Sequence, residues 1–215
     1  IKRSGQSIVG NLENEYLRAE FDPETGGLCA LINKATGKNA LVSPASAQLR
    51  DISNSDTWAH MIFKFDKRAG TFGQPEFSVL ENGPVRAVVR VITRYGQSVL
   101  DQRFTLYANA DQLEVEAHLD MQEKQRMLKL CFPTAYTDEY AEIPYGALPR
   151  TACGNEEHCQ RWIALENGKA GLAVLNDGKY SYSIENDTMA LTVVHTSVFA
   201  DHYGQNHSDE TVEYM

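Results

Sequence analysis

Gln112-Leu113-Glu114-Val115-Glu116-Ala117-His118-Leu119-Asp120 alternates strictly between polar and apolar residues. Side chains on a strand change face at every residue, so Leu113, Val115, Ala117 and Leu119 share one side. Gln112, Glu114, Glu116, His118 and Asp120 share the other. The first set is expected to meet a core, the second water or a polar cleft.

The same signature recurs in both directions. Upstream, Val85–Tyr95 is rich in β-branched residues and Val99–Tyr107 follows the turn at Gly96. Glu81-Asn82-Gly83-Pro84 is a turn, and Glu76–Leu80 a short strand before it. Ala47–Ile52 is a weak strand, and Met61–Phe65 alternates again. Near the start, Leu17, Ala19 and Phe21 alternate, Asp22-Pro23-Glu24-Thr25-Gly26-Gly27 supplies turn chemistry, and Leu28–Asn33 completes a hairpin. Residues 1–11 are polar and read as an incoming linker. Downstream, Leu128, Leu130 and Phe132 repeat the pattern. Residues 133–160 are irregular and hold three of the seven prolines. Arg161–Leu165, Gly171–Leu175, Tyr180–Ile184 and Met189–His195 are further strands parted by compact turns. No helical periodicity exceeds about three turns. A dozen or more strands on short turns predict an all-β fold. Its expected form is one large antiparallel β-sandwich, a single domain over residues 12–215.

Composition narrows the function classes. The 215 residues are 42% hydrophobic and 23% charged, enough for a substantial core. No apolar run reaches the ~18 residues of a membrane-spanning helix, and no signal-peptide pattern opens the chain. Ile1 is not an initiator and Val-Glu-Tyr-Met is no evident terminus, so a piece of a longer protein is expected. A formal net charge of -9 with scattered Lys and Arg argues against nucleic-acid binding. Four cysteines over this length do not make a disulfide scaffold, and reduced thiols in a cytoplasmic setting are the expectation. Cys153 and Cys159 flanking His158 are spaced too widely for a zinc knuckle.

The stretch Ser53–Asp66 concentrates the candidate chemistry. It begins as a polar turn and places Asp56, Trp58 and His60 before the alternation that starts at Met61. An indole face stacks on the C–H face of a sugar, while Asp, His and Arg bond its hydroxyls. The alternative for Trp58 is a rim aromatic packed on a neighbouring loop. Two further polar groups are Glu142–Gly146 with Tyr145 and Arg150, and the tail with Asp201 and His202. His202 reads equally as a solvated loop histidine, and Glu142 as a turn or ion-pair residue. Dinucleotide, Walker, nucleophile-elbow and His-Glu-x-x-His patterns are absent. No catalytic residue and no metal ligand is assigned.

Asn14 through Gly27 resembles the entry strand of the C-terminal region of family 38 glycoside hydrolases, the α-mannosidases. Ser55-Asp56-Thr57-Trp58-Ala59-His60 resembles a segment of a bacterial branch of that family. So do Glu142–Gly146 with Arg150, Arg161-Trp162, and Gly171 through Tyr180. Leu191–His202 is similar to the strand that follows, although His195-Thr196-Ser197 stands where Arg-Ser is commoner. The resemblance covers nearly the whole chain. It implies a galactose-mutarotase-like supersandwich joined to an upstream catalytic barrel. That barrel carries the nucleophile and the zinc of a retaining α-mannosidase, so this fragment is expected to hold no cofactor and to be inactive alone. Its expected partners are that upstream domain and an α-mannoside or oligosaccharide. Asp56, Trp58, His60, Tyr145, Arg150, Asp201 and His202 are the implied substrate-binding set. A free-standing sugar epimerase, with a histidine such as His118 beside a glutamate, and a carbohydrate-binding module are the alternatives. The oligomeric state stays open, a homo-oligomer included.

Overall fold

In a computed structural model of the chain, residues 11–59, 61–198 and 211–214 are described. Among them the strands are, in order, β1 (Leu12–Glu13), β2 (Leu17–Phe21), β3 (Leu28–Asn33), β4 (Lys38–Asn39), β5 (Ser46–Asp51), β6 (Arg68–Thr71) and β7 (Gly73–Asn82). Then follow β8 (Arg86–Tyr95), β9 (Ser98–Tyr107), β10 (Glu114–Asp120), β11 (Arg126–Pro133), β12 (Asp138–Ile143) and β13 (Gly146–Arg150). The last are β14 (Glu157–His158), β15 (Trp162–Glu166), β16 (Gly171–Leu175), β17 (Ser181–Glu185), β18 (Thr188–Val198) and β19 (Thr211–Tyr214).

The all-β class is as expected, but the large sandwich of the galactose-mutarotase-like kind is not. The strands divide among four separate sheets, one of seven strands and three of four. Alternation reveals which face of a strand is apolar; it carries no information about which distant strand completes the ladder. The sheets belong to two compact units, one drawn from Ile1–Ser46 and Phe72–Gln122, the other from Ala47–Thr71 and Glu123–Met215.

In the first unit the sheets are β1-β2-β3-β4 and β10-β9-β8-β7. Val89 and Val91 on β8 lie level with Phe104 and Gln102 on β9, and Val89, Val91, Leu100 and Phe104 are all buried. Phe21 from β2 meets Phe104 edge-on at 4.7 Å between ring centroids and Phe77 at 6.4 Å. Asn14 pins this packing. Its Oδ1 accepts the N–H groups of Tyr16 and Leu17, and its Nδ2 donates to the carbonyls of Tyr107 and Ala110, all within 2.8 Å. Gly26 has φ +78°, and a Cβ there would stand 2.9 Å from both Pro75 and Thr93, so no other residue fits. β10 departs from expectation: it is an edge strand, exposed at every residue but Leu119, with Val115 47% exposed. An edge strand has only one neighbour to cover its apolar side, and its glutamates and aspartate deter further pairing.

In the second unit the seven-stranded sheet runs β14-β17-β18-β11-β5-β6, with β19 also on β18. The other sheet is β13-β12-β15-β16. Tyr182, Ile184, Leu128, Met189 and Leu191 form one side of the first sheet's core, Ala141, Ile163 and Leu165 that of the second. Residues 133–160, irregular in the sequence, contain the β12–β13 hairpin. Pro149 is tolerated because β13 is an edge strand and needs no second row of donors.

Candidate functional site

The Trp58 stretch is a loop and not the mouth of a strand. Met61–Phe65 has no ladder despite its alternation, and Ala59 and Met61 take positive φ of 48° and 59°. Such values are uncommon for residues with a Cβ and mark a loop held by its surroundings. The hold is visible at its start. Asp56 Oδ1 accepts the N–H groups of Trp58 and Ala59, each at 2.9 Å. Thr57 Oγ1 donates to the Val198 carbonyl at 2.8 Å, beside a parallel bridge between Asp56 and Val198. Asp56 therefore forms the turn, while Trp58 stands 61% exposed with Met61 and Phe63 exposed after it. His60, Asp201 and His202 lie outside the described residues.

Tyr145 and Arg150 belong to the β12–β13 hairpin but not to one site. Tyr145 sits fully exposed at the tip, with φ 70° following Pro144. Arg150 is turned inward. Its Nη1 donates to the His158 carbonyl at 2.8 Å and to the Tyr182 hydroxyl at 3.0 Å, and lies 3.6 Å from Glu157. The Tyr182 hydroxyl donates in turn to the buried Glu139 carboxylate at 2.6 Å. Burial raises the Tyr182 pKa, and the carboxylate adds to the shift. Arg150 thus serves the core, and the four described candidates fall at three places. Glu142 accepts the Arg161 N–H at 2.7 Å, a structural tie.

A second cluster escaped sequence reading. Lys129 on β11 is only 1% exposed, and its Nζ donates to Glu156 Oε2 at 2.5 Å and Ser183 Oγ at 2.7 Å. Glu156 Oε1 accepts from Ser181 Oγ at 2.6 Å and from Thr192 Oγ1. Burial pushes the lysine pKa down while Glu156 opposes that shift. A bulge between Leu128 and Lys129 changes the register. Thr192 pairs with Lys129 and His195 with Met127, so both share the lysine's face. His195 Nε2 is buried without a hydrogen-bond partner among the described residues, and burial lowers its pKa. Lys129 is hard to foresee, since a lysine alternating with Leu128 and Leu130 reads as solvent-facing. The polar alternation of Ser181 and Ser183 around Tyr182 was the available hint.

Among the described residues no three His, Cys, Asp or Glu side chains gather as a metal site. Cys153 is exposed, while Cys159 is buried, its thiol pushed up to about 11 by burial. His118 does approach Glu116, at 2.9 Å, but both are more than half exposed on β10. That is a hydrogen-bond contact on the surface and not an enclosed acid–base couple.

Comparison with known proteins complements this geometry. The chain is 26% identical over 200 residues to alpha-mannosidase 2C1 of Mus musculus, covering 85% of the chain and 19% of the relative. It is 25% identical over 206 residues to alpha-mannosidase G of Dictyostelium discoideum, with the same coverage. The chain therefore spans about a fifth of the length of these relatives. Among solved structures, a family 38 glycosyl hydrolase protein from Enterococcus faecalis matches with a TM-score of 0.77 and 19% identity, over 100% of the chain and 30% of that structure. An alpha-mannosidase from E. faecalis V583 matches with a TM-score of 0.74 and 19% identity, over 91% of the chain and 27% of that structure. The family model for the glycosyl hydrolases family 38 C-terminal domain matches residues 12–203, and the chain belongs to that family.

Proposed function

We propose that the chain is the C-terminal part of a retaining, zinc-dependent α-mannosidase whose nucleophile and metal lie elsewhere in the polypeptide. It supports the catalytic domain and lends the Trp58 loop to the sugar cleft. The observation that carries the second half is Trp58 itself: its loop is fixed at Asp56 and Thr57, yet the indole stands mostly in solvent. A rigid exposed aromatic stacks on a sugar ring with little ordering cost. Asp56 contributes positioning, its Oδ1 being committed to the backbone N–H groups of Trp58 and Ala59. Four unpaired thiols accord with a cytoplasmic setting.

The test is an aryl α-mannoside assay of the whole polypeptide and of the isolated chain. Trp58→Ala should lower kcat/KM of the whole polypeptide by about tenfold, the equivalent of ~1.4 kcal/mol, without altering its unfolding midpoint. Unchanged kinetics reduce Trp58 to an exposed loop residue. Zinc-dependent turnover by the isolated chain overturns the division of labour.

A further inference from the structure

The loop that carries Trp58 is tied down a second time, five residues further on. The Phe63 carbonyl accepts the Glu156 backbone N–H at 2.7 Å. Phe65 lies edge-on to the His195 ring at 6.1 Å, and the Asp66 carbonyl accepts from Arg50 at 3.2 Å. Glu156 itself belongs to no strand. Its place is set by its side chain, whose carboxylate is held by Lys129, Ser181 and Thr192 from the adjacent strands β11, β17 and β18.

This arrangement is a poor way to gain stability. Desolvating a lysine and a glutamate costs more than most pairs recover, and apolar residues of similar volume often serve as well or better. What directional bonds supply is a unique position. Three donors from three strands leave the carboxylate one placement, and the peptide N–H of the same residue transmits it to Phe63. Between Thr57 and Phe63 the described residues include two left-handed ones, Ala59 and Met61, and three large exposed apolar side chains, Trp58, Met61 and Phe63. Nothing in those features favours an outward stance by itself; exposed apolar surface favours collapse.

We propose that Lys129 and Glu156 are positioning residues for the Trp58 loop: their buried ion pair fixes the Glu156 backbone, which fixes Phe63 and the stance of Trp58. Its importance for catalysis rests on the proposed role of Trp58 in the sugar cleft; the positioning itself does not.

The chain has two tryptophans, so a Trp162→Phe background makes Trp58 the sole reporter. In that background, Lys129→Met/Glu156→Leu removes both charges together and avoids an unpaired one. The expected result is a folded protein in which Trp58 anisotropy falls. Exchange of the residue-156 amide should rise by about tenfold beyond any change at buried Leu191, a local opening and not a global one. Ser181→Ala, which removes one hydroxyl from Oε1 and leaves the charges paired, should move both readouts the same way by less. Lys129→Arg should retain the anisotropy of the parent. Should the double variant fail to fold, Ser181→Ala and Lys129→Arg still decide. A folded double variant, or Ser181→Ala alone, with unchanged exchange at residue 156 and unchanged anisotropy overturns the proposal. In the whole polypeptide the variants should raise KM for the aryl α-mannoside. If Trp58→Ala leaves kinetics unchanged while the anisotropy falls as expected, the functional reading fails and the positioning stands.

Discussion

The two units use charge in opposite ways. In the first, one face of the β7–β10 sheet carries ion pairs whose arginines each keep more than a third of the side chain in water: Arg90 with Asp101 at 2.9 and 2.6 Å, Arg86 with Glu81 at 2.7 Å, Arg103 with Glu116 at 3.6 Å. Neighbouring strands present them on the polar side of the alternation, with Asp101 the most enclosed partner at 15% exposed. In the second, Lys129, Glu139 and Tyr182 are each under 5% exposed and each hydrogen-bonded to a partner from another strand, Lys129 to Ser183 and Tyr182 to Glu139. Water can replace a lost partner in the first setting and cannot in the second. The same residue types are therefore decorative in one unit and structural in the other.

The largest test of that contrast is Lys129→Ala, which leaves the Glu156 carboxylate buried without its cation. A loss of about 3–5 kcal/mol is expected in urea unfolding, and a loss too small to measure would erase the difference between the units. Tyr182→Phe keeps the ring but withdraws the hydroxyl from Glu139 and Arg150. The expected cost is about 1–3 kcal/mol in the same measurement.

A pH titration of stability sharpens the contrast further. Burial lowers the His195 pKa from 6.5, with Glu156 opposing and Lys129 two rungs away. The unfolded chain therefore binds the proton more readily than the native one. This contribution is complete above about pH 6.5 and is lost as pH falls towards the depressed native value. His195→Phe should flatten the stability curve in that window and leave it unchanged above. The smallest effect is expected for Arg90→Ala in the open lattice, an unfolding midpoint within the scatter of the parent's. A clear drop there would mean that the exposed pairs matter as the buried ones do.

The strands of the first unit were legible because their signals are local. β8 and β9 were found within a residue or so, as were β2, β3 and the turn at Gly26, whose positive φ admits only glycine. Met61–Phe65 misled for the opposite reason. It alternates like a strand, but Ile62 bonds back to Ala59 and Phe63 accepts from Glu156, and none of its residues joins a ladder. The β12–β13 hairpin was hidden by Pro144 and Pro149, which a tip and an edge accept. Of the candidate site, the polar turn ahead of Trp58 was readable, because Asp56 holds it through neighbouring N–H groups. The inward turn of Arg150 was not, because its partners His158 and Tyr182 come from two other strands, β14 and β17.

By itself the sequence determined the all-β class, most strand positions, and the family to which the chain belongs, since each rests on short-range alternation or on ordered motifs. The opening strand, Glu114–Asp120, shows where that stops: its alternation was real, yet its place at a sheet edge left Val115 exposed. Only the tertiary structure decided how the strands divide among four sheets and that Lys129 is buried opposite Thr192, sixty-three residues away. Pairing between distant strands is decided by how the whole chain packs, and no local period encodes it.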